Sequence, residues 1–189
     1  MKSTDDATLL QAVARHDEVA FAELYDRLSR PVFTLVVRVL RSRAEAEEVL
    51  QEAFWQVWER AADFRVELGS AFCWVVTIAR RKAIDRLRAN ARHRKRIEEA
   101  QGLRNDDVFF PPAALEGMEA DERTGAVRAA LAKLNADERR VIGLAFFDGL
   151  THDEIAVALG APVGTVKARI RRGMLKLKPA LARLHQADA

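Results

Sequence analysis

The chain has 189 residues, with 31 Lys and Arg against 28 Asp and Glu, a formal net charge of +3 and a single Cys. That length suits one or two compact domains. The lone Cys73 excludes an internal disulfide framework or a Cys-rich zinc site, and no apolar run approaches the roughly twenty residues of a membrane span.

Strand signals are scarce while Ala, Leu, Arg and Glu dominate, so the chain is predicted to be all-α. It is read as two small helical domains joined by a flexible linker. The N-terminus, MKSTDDATLLQ, has no signal-peptide core, and a cytoplasmic location is expected. The first two helices are marked by Leu9, Leu10 and Val13, then by Ala20, Phe21, Leu24, Tyr25 and Leu28, on either side of a break at His16 and Asp17. A third is predicted from Pro31 to Leu40. Next comes AEAEEVLQEAFWQVWERAADF, with Val49, Leu50, Ala53, Phe54, Val57, Trp58 and Ala61 on an apolar face. The opposite face carries Glu45, Glu48, Gln51, Glu52, Gln56 and Glu59, which pattern alone reads as solvated.

A loop, Arg65 to Ser70, precedes AFCWVVTIARRKAIDRLRANARHRKR, a basic helix. Phe72, Val75, Val76, Ile78, Ala79, Ala83, Ile84 and Leu87 form its buried stripe, and Arg80, Arg81, Lys82, Arg86, Arg88 and Arg92 crowd the other sides. Cations beside aromatics suit unpaired nucleic acid, whose bases stack while the backbone meets positive charge. Trp74 is placed equally well as a core anchor or as a stacking platform. The segment RNDDVFFPPAALEGM then reads as linker, since Pro111 and Pro112 break helix on both sides.

The chain closes with DGLTHDEIAVALGAPVGTVKARIRRGMLKLK, two helices joined by a Gly-Ala-Pro turn. Thr151 and Glu154 make a capping box, Ile155, Ala156 and Leu159 a buried stripe, and Gly160 a stop signal. Val166, Ile170, Met174 and Leu177 are the expected apolar face of the last helix. Between Ile155 and Ala187 there are seven Lys or Arg and no acid. Lys167 and Arg169 lie near the helix start, where dipole complementarity does not explain them, so a polyanion is the natural partner. This is a DNA-reading helix-turn-helix, a motif that repressors, recombinases and initiation factors share.

Taken together, these parts resemble the extracytoplasmic-function (ECF) sigma factors, compact two-domain members of the bacterial primary sigma family. The resemblance rests on AEEVLQEAFWQVW, GSAFCWVVTIARRKAIDRLR and GLTHDEIAVALGAPVGTVKARIRRG, in that order, and covers nearly the whole chain. It implies a sigma N-terminal domain at residues 8–98, a linker at 99–124 and a C-terminal helix-turn-helix domain at 125–185. Glu48, Gln51, Glu52, Trp55 and Gln56 are then expected to dock on core RNA polymerase. Arg65, Trp74, Arg80, Arg81, Asp85 and Arg88 are expected at the minus-ten element, where the 65–70 loop holds an extruded base. Thr165, Lys167, Ala168, Arg169, Arg171, Arg172 and Lys176 are expected at the minus-thirty-five element. Implied partners are core polymerase, promoter DNA as duplex and melted strand, and an anti-sigma protein, often membrane-anchored in the family. The chain departs from a common pattern in its consecutive cations Arg80 and Arg81 and in its loop RVELGS, so no minus-ten base preference is implied. His16, His93, His152 and His185 lack ligand spacing, and neither a phosphate-cradling Gly loop nor a nucleophile elbow is present; no enzymatic activity, cofactor or metal site is expected.

Overall fold

The computed structural model describes residues 4–100, 129 and 131–186, and among them every regular element is helical. The chain forms two units, Met1–Ala113 and Ala114–Ala189.

In the first unit, α1 (Asp6–Val13) starts at Asp5, whose carboxylate accepts from the Thr8 backbone N–H. The break lies where predicted. His16 takes a left-handed conformation (φ 62°), and Asp17 caps α2 by accepting from Val19 and Ala20. The third predicted helix does not exist as a separate element, because α2 runs unbroken from Glu18 to Leu40 with Pro31 inside it. Proline there removes one i to i−4 hydrogen bond, a loss of about 3 kcal/mol. Leu24, Leu28, Val32, Val36 and Val39, all buried, continue one stripe across the proline. Each contributes about 1.5–3 kcal/mol of burial, which outweighs the missing bond.

Ser42 caps α3 (Arg43–Arg60), and Ser70 caps α4 (Ala71–Ala100) by accepting from Cys73. Helices α2, α3 and α4 each pack on the other two, and α1 packs on α2. The resulting core holds Leu10, Leu24, Leu28, Val49, Phe54, Val57 and Val75. Arg27 ties α1 to α2 through Asp6 (3.2 Å) and the Thr4 carbonyl, and also meets Glu23. The first two residues of the predicted linker, Glu99 and Ala100, are the last of α4; the rest of 99–124 lies outside the described residues.

The second unit contains α5 (Ala136–Phe146), α6 (His152–Leu159) and α7 (Val163–Gln186). Two capping boxes start α5 and α6, Asn135 with Glu138 and Thr151 with Glu154. Gly149 and Gly160 take positive φ (64° and 59°) and stop the preceding helices, Gly160 as predicted. Helix α7 packs on α5 and α6 around Val141, Leu144, Ile155 and Val166, with Leu134 against Leu177. One apolar position differs from expectation: Met174 is exposed, and Gly173 is buried in its place. A Cβ at Gly173 would lie 2.4 Å from Ile142 Cδ1 and 3.4 Å from Glu138 Cβ and Leu134 Cδ2, so α7 approaches α5 closely there because glycine has no side chain.

Candidate functional site

Three surfaces carry the residues singled out above. The first is α3. Trp55 is 64% exposed and stands beside exposed Gln51, while Gln56 is half-buried. Glu48 and Glu52 are exposed but not merely solvated. Arg86 on α4 donates to Glu48 at 2.8 Å and to Glu52 at 3.0 Å, Lys82 reaches Glu52 at 3.4 Å, and Asn90 donates to Glu45 at 2.8 Å. The hydrogen bond to Glu48, followed by the nearby carboxylate charges, raises the Arg86 pKa against the opposing effect of burial.

The second surface belongs to α4 and the loop before it. Arg81, Asp85, Arg88 and Arg92 are exposed at positions i, i+4, i+7 and i+11, one stripe of the helix. Arg80, half-buried beside them, has its pKa lowered by burial first and then by the charges of Arg81 and Arg88. Crowded cations of this kind are relieved by an anion, and phosphate supplies one. Lys82, Arg86 and Asn90, by contrast, turn toward α3. The sequence reading missed this division of α4 into two polar sides.

The loop is not featureless. Val66–Leu68 form a 3-10 turn, and Arg65 Nη1 donates to the carbonyls of Ala62 (2.7 Å) and Phe64 (3.0 Å), holding the loop in shape. Behind it lies a cleft of about 450 Å³, lined by Gln11 of α1 and Arg15 just after it, together with Phe64, Arg65 and Glu67. Trp74 is half-buried and meets the Phe64 ring edge-on at 5.9 Å. That contact agrees with a core role and leaves part of the indole reachable.

The third surface is α7. Lys167, Ala168, Arg171 and Arg172 are exposed on one side of the helix, and Thr165 is half-buried near its start. None of the three cations has an ion pair among the described residues. Arg169 and Lys176 behave differently. Arg169 pairs with Asp137 at 2.7 Å and Lys176 with buried Glu138 at 2.6 Å, both carboxylates lying in the first turn of α5. The helix thus separates cations that face outward from cations that fasten it to its support.

The Lys176 hydrogen bond, with help from the Asn135 backbone, lowers the Glu138 pKa although burial opposes it. A folded pKa below the unfolded one gives stability that is fully present above the ordinary glutamate range and disappears as pH falls through the folded value. Thermal melts of the second unit are therefore expected to weaken on acidification through that range. Lys176→Met should be less stable at neutral pH and lose less on acidification. Parallel pH profiles for the two proteins would contradict this account.

The family model described as Sigma-70 region 2 matches residues 24–93, and that described as Sigma-70, region 4 matches residues 124–177. An ECF RNA polymerase sigma factor SigK of Mycobacterium bovis is 38% identical over 179 residues, covering 95% of each chain. The SigK of Mycobacterium ulcerans is 36% identical over 180 residues, again 95% of each. Among solved structures, Rhodobacter sphaeroides SigE in complex with the anti-sigma ChrR is 31% identical, with 93% of this chain and 97% of that one covered and a TM-score of 0.49.

Proposed function

The chain belongs to the ECF RNA polymerase sigma factors, and from that premise we propose how its parts divide the work. It binds core RNA polymerase, directs it to specific promoters and supports promoter melting in transcription initiation. The observation that carries this reading is the 38% identity along 95% of the chain, through both units, where a shared helix-turn-helix alone would have matched only the second.

Residues 8–98 form the sigma N-terminal domain, 99–124 the linker and 125–185 the minus-thirty-five domain. Glu48, Gln51, Glu52, Trp55 and Gln56 dock on polymerase, where carboxylates and amides pair with basic groups around an apolar centre. Arg80, Arg81, Asp85 and Arg88 follow the melted minus-ten strand. Arg65 shapes the loop, and Trp74 together with the cleft behind the loop receives an unstacked base. Bond-making chemistry belongs to the polymerase; this chain is no enzyme and works in the cytoplasm, where polymerase and chromosome are. Among the described residues no helix is long and apolar enough to cross a membrane. An anti-sigma protein that covers its domains controls it, and the inducing signal enters through that partner.

Run-off transcription with purified core polymerase, on a pool of promoter fragments, tests the reading: discrete starts should appear only when the protein is added. If it shifts duplex DNA but no fragment is transcribed, a stand-alone regulator replaces it.

On an identified promoter, Thr165, Lys167, Ala168, Arg171 and Arg172 make the reading surface. Arg171→Ala is expected to cost about 1–3 kcal/mol and to relax choice at one base pair of the minus-thirty-five element. Arg169→Ala should weaken all sequences alike, because Arg169, like Lys176, anchors α7 and adds phosphate attraction without reading bases. Binding isotherms on a panel of single-base variants distinguish the two; identical profiles for both substitutions would refute the division.

A further inference from the structure

The contacts between α3 and α4 form an antiparallel ladder. Glu45 meets Asn90, Glu48 meets Arg86, and Glu52 meets both Arg86 and Lys82, so numbers rise on one helix as they fall on the other. Within the ladder the cations are the inner members. The side chains of Lys82 and Arg86 are 29% and 28% exposed, against 65% and 48% for Glu48 and Glu52. Cations so covered are poorly placed to meet a DNA backbone. The carboxylates face outward, and each has acceptor capacity beyond the bonds it already makes.

We propose that Arg86, seconded by Lys82, is a positioning residue for polymerase docking. Its guanidinium fork holds Glu48 and Glu52, one helical turn apart on α3, in a single geometry that a basic partner surface meets ready-made. The inference rests on the reading that α3 docks on polymerase. Glutamate side chains lose rotamer freedom when they dock, and a bridge that orders both beforehand removes that cost from the binding step. Lysine at this position keeps the charge but cannot bridge two carboxylates as a planar fork does.

The test is titration of labelled full-length protein with core polymerase, beside titration with a single-stranded minus-ten oligonucleotide. Arg86→Ala should weaken core binding by about three- to tenfold while strand binding and the thermal midpoint stay near wild type. Arg86→Lys should fall closer to Ala than to wild type, and it carries the test if the Ala variant folds poorly. On a Glu48→Gln background, Arg86→Ala should add much less than it does alone, which a merely structural role would not produce. Unchanged or tighter core binding by Arg86→Ala, loss of strand binding instead, or full additivity with Glu48→Gln overturns the proposal. Glu52→Lys separates the two levels. If that variant loses core binding while Arg86→Ala does not, only the positioning role is wrong; if it binds core normally, the docking assignment falls and the positioning role with it.

Discussion

Glu52→Lys is expected to lose about thirtyfold or more in affinity for core polymerase, and with it the run-off product. Removing one partner of a closely paired interfacial charge costs about 2–5 kcal/mol, and Glu52, only half-exposed, sits at the lower end of that range. Reversal adds a second penalty. The new ammonium would stand where the carboxylate now accepts from Arg86 at 3.0 Å and Lys82 at 3.4 Å, bringing three cations together. In the free chain this repulsion is largely screened, because exposed pairs contribute about 0–1 kcal/mol. The thermal midpoint should therefore move little while binding collapses, and Glu52→Gln should fall between. A Glu52→Lys protein that supports normal transcription would move the docking site off this side of α3.

Gly173→Leu is expected to destabilise the second unit by about 3 kcal/mol. Even a methyl at this position would approach Ile142 Cδ1 to 2.4 Å, and the further carbons of leucine have no space between α7 and α5. Overpacking of this kind costs about 1–3 kcal/mol, and the upper end applies because separating the helices also parts Lys176 from buried Glu138. Gly173→Ala should be close to neutral. Its nearest neighbour is the flexible end of Ile142, and replacing glycine within a helix returns about 1 kcal/mol. The two units can be followed separately, since all three tryptophans, Trp55, Trp58 and Trp74, lie in the first. Far-UV dichroism should show an early transition in the Leu variant while tryptophan fluorescence unfolds as in wild type. Coincident wild-type transitions by both probes would contradict the packing argument.

What could be read from the sequence divides along the range of the interactions involved. The capping box at Thr151 and Glu154, the stop at Gly160 and the break at His16 and Asp17 depend on residues a few positions apart, and they stand as predicted. Pro31 shows where local rules lose. Its helix-breaking tendency is correct for an isolated segment, but the stripe from Leu24 to Val39 buries on both sides of it. A search for apolar side chains places Met174 in the core because it passes over a residue that has none, although Gly173, three residues after Ile170 and four before Leu177, fits the helical spacing equally well. The pairing of Glu45, Glu48 and Glu52 was out of reach for another reason. Their partners lie between 30 and 45 residues away on α4, and composition offers no means of assigning particular acids to particular bases. The same holds for the bonds of Asp137 and Glu138 to α7.

The fastening of α7 to α5 by Arg169 and Lys176 bears on how such a protein changes its targets. In the division of work proposed above, support and recognition fall to different side chains of one helix, so Lys167, Ala168, Arg171 and Arg172 are open to substitution without disturbing the pairs that set the helix in place. A lineage that copies this gene therefore has a short path to a new set of promoters, through outward positions whose replacement leaves the fold intact.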